Sequence, residues 1–262
     1  MKKVIKFLLR PILGKKIFQP FFRLLFLAGL KGMNIGGGST YSESGESWVI
    51  TELSKGKKKF VLFDVGANNG SYAAMAASIC SKNLIEADIY CFEPAKATFQ
   101  LLQKASENKK NFHLFQLGMG ATAGELTLHS NEAGSGLASV YERDLAGVVL
   151  SNSEKIAITT VDAFCHEHAI SYIDLLKLDV EGHELSAITG AAHMIATGAI
   201  GAIQFEFGGT AIDAQTYLRD FFRVLEKDYR LFRILQNGLT ELKQYSEYDE
   251  LFVTTNFLAI KK

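Results

Sequence analysis

At 262 residues the chain is long enough to bury one sizeable α/β core and carry an N-terminal extension, and too short to add a second full domain. Its 28 Lys and Arg match 28 Asp and Glu, so the global charge balance carries no footprint of a nucleic-acid partner. Three cysteines, Cys80, Cys91 and Cys165, have no paired spacing, which excludes a disulfide scaffold and reads as free thiols in a reducing compartment.

Residues 1–30 interleave Lys and Arg with large apolar side chains, from Phe7 and Leu8 to Leu27, and are broken by Pro11 and Pro20. No apolar run of about 18 residues is present for a membrane-spanning helix. No small-residue cleavage site follows a hydrophobic core, so a signal peptide is also disfavoured. The pattern suits one or two amphipathic helices, and three uses stay open: packing on the domain, a homo-oligomer contact, or peripheral contact with a membrane surface. Gly36-Gly37-Gly38 then marks a break. We therefore expect an amphipathic helical extension over 1–38 and a single catalytic domain over 39–262.

Within that domain a helix is expected over Ser47–Leu53, followed by strands at Phe60–Val65, Ile89–Phe92 and Phe112–Leu117, with helices at Ser71–Cys80 and Ala95–Ser106 between them. A polar stretch over 123–158 interrupts this rhythm. Its flanks, Glu125–Leu128 and Ile156–Thr159, alternate like a half-exposed strand pair, and the long loop between them is expected to face substrate. The rhythm resumes with a strand at Ile173–Asp179, a helix from His183 to about Thr197, a strand at Ala199–Phe207 and a helix at Asp213–Lys227. Tyr229–Ile234 and Leu251–Ile260 close the sheet. The sum is a seven-stranded, doubly wound α/β sheet with an antiparallel last strand.

The chemistry concentrates at strand ends. Phe60-Val61-Leu62-Phe63-Asp64-Val65-Gly66-Ala67-Asn68-Asn69-Gly70 runs a buried-strand pattern into a glycine turn that opens a helix, which is how an open α/β sheet builds a nucleotide-sized pocket. The spacing is G-x-x-x-G rather than G-x-G-x-x-G, and no P-loop Lys-Ser/Thr follows. Asp64 would repel a pyrophosphate but can receive an ammonium group, so the ligand this turn suits is S-adenosylmethionine. One strand later, Phe92-Glu93-Pro94 places an acid where ribose hydroxyls are bound in nucleotide-binding sheets. His166 and His168 form an H-x-H pair best read as a surface loop.

Phe63–Gly70, Phe92–Pro94, Thr160–Phe164 and the block Leu176-Lys177-Leu178-Asp179-Val180-Glu181-Gly182-His183-Glu184 together resemble the FkbM-type S-adenosylmethionine-dependent methyltransferases. Ser44-Gly45-Glu46 and Thr255–Ile260 extend the likeness from about Asn34 to the chain end. The resemblance implies a class I methyltransferase (Rossmann-like) fold and O-methylation of a sugar, glycan or polyketide-like acceptor. Laid over it, Asp64 and the backbone near Gly66 would hold the methionyl end of the cofactor, with Asn68 as polar neighbour and Gly70 closing the turn. Glu93 would hold the ribose, and Gly118 and Met119 would flank adenine. Asp179 would approach the transferred methyl as cofactor contact and first candidate base, followed by His183 and Glu181, with Glu206 facing the acceptor.

Asp179, Glu181, His183, Glu184 and Glu206 also offer metal-ligand chemistry, but the spacing is not H-E-x-x-H, and the reading without a metal is preferred. The expected acceptor is a hydroxyl of a sugar, glycan or lipid-linked saccharide, and the expected location is the cytoplasm, with peripheral contact at the inner face of a membrane left open. Two competing readings are a methyltransferase of protein or nucleic acid, opposed by the neutral charge, and a non-catalytic adenosyl-binding assembly protein.

Overall fold

The run Lys59–Val65 forms the central strand, β1, of a mixed eight-stranded sheet in the computed structural model, which describes residues 10–37, 40–131, 138–141 and 150–262. Around it the chain supplies β2 (Glu86–Phe92), β3 (Phe112–Phe115), β7 (Ile173–Leu178), β8 (Ile200–Phe207), β9 (Tyr229–Leu235), β10 (Gly238–Leu242) and β11 (Thr255–Lys261). Their spatial order is β10-β9-β11-β8-β7-β1-β2-β3. β3, β2, β1, β7 and β8 run parallel, and β11 enters antiparallel between β8 and β9. A second sheet joins β4 (Gly118–Met119), β6 (Asn152–Thr159) and β5 (Gly124–Ser130).

The two-residue period of each strand sorts its side chains onto two covered faces. Phe60 and Leu62 of β1, Ile89 and Cys91 of β2, Leu175 of β7 and Ala202 of β8 pack with α2 (Glu46–Ser54), α3 (Ser71–Lys82) and α4 (Lys96–Ser106). Phe63, Val65, Phe92, Leu176, Leu178, Ile203 and Phe205 face α5 (Val161–Glu167), α6 (Glu184–Thr189), α7 (Ala192–Ala196) and α8 (Leu218–Leu225). Burying such side chains on both faces at about 1.5–3 kcal/mol each accounts for the near-continuous apolar strands. The extension contributes a 3₁₀ turn, Lys16–Phe18, and the helix α1 (Gln19–Gly32) to the described residues, with Pro20 in the first turn of α1, where no N–H partner is needed.

The architecture is the class I methyltransferase fold expected, with local differences. The main sheet has eight strands rather than seven. Gln236-Asn237 makes a tight hairpin turn, from which β10 folds back on β9 as an added edge strand. β3 stops at Phe115, because Gly118–Met119 leaves the main sheet to pair with β6. The predicted pair 125–128 and 156–159 exists as the antiparallel β5–β6 ladder. Residues 132–137 and 142–149, where the substrate-facing loop was expected, lie outside the described residues. The helix expected from His183 to about 197 breaks into α6 and α7 at Gly190, which packs so closely on the Gly120 carbonyl that a Cβ would sit 2.1 Å from it. The helix expected from Asp213 is likewise split: a one-turn helix, Thr210–Asp213, precedes Gln215 at φ 53°, and α8 starts after Tyr217, whose N–H donates to the Asp220 carboxylate at 3.2 Å. Cys80, Cys91 and Cys165 are free and buried.

Two glycines of the first turn differ in what they do. Gly66, at φ 78°, would drive a Cβ to 1.8 Å from the Asp179 carbonyl oxygen, so the β1 turn and the β7 end cross backbone against backbone. Gly70, at φ 80°, would meet the movable tip of Leu102 at 2.7 Å. Gly66→Ala should therefore cost about 3 kcal/mol or more, or prevent folding, and Gly70→Ala about 1 kcal/mol. Urea unfolding of the two variants checks this ordering, and equal costs would refute it.

Candidate active site

A cleft opens at the carboxyl edge of the parallel strands, where β1, β2 and β7 end. Its lining includes Gly66 and Asn68 after β1, Glu93 and Pro94 after β2, and Asp179, Val180, Glu181 and His183 after β7. Gly118 and Met119 of β4 form part of the wall. Leu128 of β5, Ile156 of β6, and Ala138 and Val140 complete an apolar side over it.

The loops are tied to one another by backbone groups. Gly66 and Ala67 N–H both donate to the Phe92 carbonyl, at 2.9 and 3.0 Å, and the Asp179 N–H donates to the Val65 carbonyl at 3.0 Å. Asn68, at φ 48°, turns its N–H to Glu93 Oε2 (3.0 Å), while Ala95 N–H donates to Oε1 (3.0 Å). Glu93 is thus oriented by two amides and still has acceptor capacity toward the cleft. Burial pushes its carboxyl up to about 7, against the pull of those amides.

Glu184, at the start of α6, has a structural task. Its carboxylate accepts the N–H groups of Val180 (2.9 Å to Oε1) and Gly182 (3.1 Å to Oε2), closing the turn that carries Glu181. Glu181 itself is at φ 51°, and its carbonyl accepts from Ser139 Oγ at 2.8 Å, which joins the segment over the cleft to the β7 turn. His183 is the N-cap residue of α6. Its Nδ1 lies 3.1 Å from the Tyr141 hydroxyl, and burial lowers its pKa, leaving the imidazole neutral near pH 7. A Cβ on residue 120 would stand 3.0 Å from His183 Nε2, so Gly120 leaves that nitrogen uncrowded.

Asp64, expected in the ligand-facing wall, lies one layer below it and is fully buried. Strand register explains the displacement: Asp64 pairs with Lys177, and Lys177 with Gln204, so the three stand in one row across β1, β7 and β8. Lys177 Nζ is 3.1 Å from Asp64 Oδ1 and 3.3 Å from Asp179 Oδ2, and it lies over the Tyr72 ring at 4.9 Å. The Asp64 contact is an ion pair without hydrogen-bond geometry. Behind the row, the Tyr72 hydroxyl donates to Gln204 (3.2 Å), Gln204 donates to Glu46 (2.9 Å), and Ser44 donates to Glu46 (2.7 Å). Burial opposes the charge on Lys177, but Asp64, Asp179 and Glu46 outweigh it and raise its pKa. Gly70 is likewise outside the cleft, as the N-cap of α3.

Glu206 falls on the row above Gln204. Burial, then Asp179, Glu181 and Glu184, push its carboxyl up to about 9, so it holds its proton at neutral pH. Among the described residues no group of three or more His, Cys, Asp or Glu is arranged to hold a metal ion. The His166/His168 pair sits at the end of α5, with His168 stacked on Phe164 at 4.0 Å.

Lys177, Tyr141 and the apolar side formed by β5 and β6 carry no motif that marks them as part of the site. Lys177 was findable as a lysine set among Leu175, Leu176 and Leu178 of a strand pattern, since such a charge needs buried partners. Tyr141 and Val140 had no local signal, because their place depends on the path of the segment between the small-sheet strands.

The buried ammonium predicts a stability signature. Lys177→Met leaves the Asp64 carboxylate buried without its partner and should cost about 3–5 kcal/mol, much of it recovered in the double variant Asp64→Asn/Lys177→Met. Urea unfolding measures both, and a cost under about 1 kcal/mol for the single variant would contradict the pairing.

Comparison with known proteins gives the family. A family model described as the methyltransferase FkbM domain matches residues 64–231. The hexuronic acid methyltransferase AglP of Haloferax volcanii is 26% identical over 144 residues, covering 55% of this chain and 54% of AglP. The 2-O-methyltransferase NoeI of Sinorhizobium fredii is 28% identical over 144 residues, covering 50% of this chain and 56% of NoeI. The matches thus span about half the length of these curated relatives. Among solved structures, an S-adenosylmethionine-dependent methyltransferase from Agrobacterium tumefaciens superposes with a TM-score of 0.46 at 5% identity, over 86% of this chain and 63% of that one. With the family model matched from Asp64 to Leu231, the chain belongs to the FkbM family of methyltransferases, whose cofactor is S-adenosylmethionine.

Proposed function

We propose that this protein is an O-methyltransferase that transfers a methyl group to a hydroxyl of a sugar, in a glycan or a lipid-linked saccharide. The observation that carries this reading is that Glu93 and His183 line one cleft. A ribose-type acceptor of hydroxyl donors and a neutral base thereby share one space. The names of AglP and NoeI, a hexuronic acid methyltransferase and a 2-O-methyltransferase, favour a sugar hydroxyl as the acceptor.

The cleft residues suit the cofactor. Glu93 has free acceptor capacity for the two ribose hydroxyls, and Met119, Leu128, Val140 and Ile156 offer an apolar slot for adenine. Asp179, half-exposed and anchored by Lys177, would take the methionyl ammonium with the Gly66 backbone beside it. Asp64 then acts on this end through Lys177 rather than by contact. S-adenosylmethionine, when bound, supplies an electrophilic methyl on a sulfonium, open to in-line attack. The chain's task is to place an acceptor oxygen in line and remove its proton. With Nδ1 protonated and donating to the Tyr141 oxygen, His183 keeps its Nε2 lone pair for that proton. Glu206, holding its own proton, is suited to donate a hydrogen bond to an acceptor oxygen. Glu181 lines the same end and would contact the acceptor.

Turnover and binding should separate these roles. His183→Gln should lower kcat by about 10²–10⁴-fold while leaving S-adenosylhomocysteine affinity within about twofold. Asp179→Asn should weaken that affinity. Release of S-adenosylhomocysteine is measured across a panel of free sugars, glycans and polyprenyl-linked saccharides. Wild-type turnover in His183→Gln removes it as base, and no S-adenosylhomocysteine binding to the unaltered protein defeats the enzyme reading.

Glu93 adds a pH test. Its folded carboxyl lies near 7, and hydroxyl donors stabilise only the ionised form, so binding lowers its pKa. Affinity for S-adenosylhomocysteine should therefore rise about tenfold from pH 6 to pH 8. Calorimetry at the two pH values checks this, and Glu93→Gln should flatten the dependence.

A further inference from the structure

Helix α1 presents apolar side chains to solvent around most of its circumference. Phe21, Leu24, Leu25, Phe26 and Leu27 are all exposed, with Leu24 at 65%, and only Leu30 of the helix is buried. Ile17, in the turn before it, is 81% exposed. A helix apolar on all sides is ordinarily enclosed by protein core or lipid. At 14 residues it is about 21 Å long, short of the ~30 Å hydrocarbon core, and no helix among the described residues is long and apolar enough to cross a membrane.

Charge says what covers it. The first 42 residues hold eight Lys and Arg and no Asp or Glu, Glu43 being the first acid, so the remaining chain carries a net charge of −8. Arg10, Lys15, Lys16, Arg23 and Lys31 stand among the exposed apolar side chains. A second copy of the helix would bring like charges together. An anionic lipid surface would receive apolar and cationic groups at once.

The root of the helix is fixed and lies at a particular edge. Asn34 Nδ2 donates to the carbonyls of Ser44 and Ile234, both at 3.1 Å, and Gly36 N–H donates to the Thr254 carbonyl at 2.9 Å. Ile35 is buried. Thr254 precedes β11, whose first residue, Thr255, pairs with Phe207 at the carboxyl end of β8. The helix is therefore tethered at the sheet edge on which the methyl-transfer cleft opens.

We infer that α1 is an interfacial anchor that seats this edge of the protein on an anionic bilayer. The inference extends the methyltransferase reading, because a cleft at the membrane favours an acceptor whose sugar is carried on a lipid, and its test is independent of turnover. The full chain is floated with phosphatidylcholine vesicles, with and without phosphatidylglycerol. Binding to the phosphatidylglycerol vesicles alone is expected. Lys15→Gln/Lys16→Gln/Arg23→Gln should lower partitioning by at least about tenfold, and Leu24→Glu/Phe26→Glu should do the same. These side chains are solvent-exposed, so both variants should retain S-adenosylhomocysteine affinity, which shows that the fold is intact. No flotation, or equal flotation with pure phosphatidylcholine, overturns the inference. So does a lipid-free dimer by light scattering that Leu24→Glu/Phe26→Glu returns to monomer, which would assign the helix to a second copy. Loss of S-adenosylhomocysteine binding in the unaltered protein would instead count against the methyltransferase reading and leave the flotation result standing.

Discussion

A lysine ammonium enclosed in the sheet is the constraint around which the rest of this protein is arranged. Lys177 projects from the most buried strand onto the face covered by α2 and α3, where hydration is lost and each charge must be compensated. Asp64 meets it from the neighbouring strand, Asp179 from two residues further along its own, and Tyr72 offers a ring face. Only Asp179 of the two acids reaches the cleft. The buried pair therefore transmits position: the depth of Asp64 sets Lys177, and Lys177 holds the carboxylate that the site presents. A buried pair of this kind contributes little net stability compared with apolar packing, and its value lies in geometry.

The second constraint is the near-contact of two turns. Gly66 and the Asp179 carbonyl approach so closely that no side chain fits between them, and the two segments also share a hydrogen bond through Val65. The turn after β1 and the turn after β7 thus form one body. Glu93 joins it through Asn68, and Glu184 holds the turn that carries Glu181. Ser139 then fastens the segment above the cleft to that same turn. Polar groups here serve as ties between loops, which is why several conserve no free valence for a ligand while Glu93 and His183 do.

Much of this was legible in the chain. Alternation of apolar strands and helices is a local property, as is a glycine turn at a strand end, so the parallel sheet and the cleft-edge positions of Gly66, Asn68, Glu93, Asp179 and His183 could be read from neighbouring residues. The errors share a cause in long-range contact. Asp64 reads as a ligand group because its strand ends in a turn, yet pairing with β7 places it opposite Lys177 and below the cleft. Gly118 and Met119 fall just beyond the expected third strand, and become a strand of their own only because β6, some forty residues away, pairs with them.

What the sequence by itself determined is the set of elements and their chemistry: periodicity names strands and helices, glycines name the close turns, and acids at strand ends name the edge where a ligand sits. Tertiary structure alone decided which acids reach that edge. Asp64, Lys177 and Gln204 lie far apart in the chain and meet only through strand register, and that register, fixed by packing both sheet faces against helices, divides buried counter-ions from cleft-lining groups.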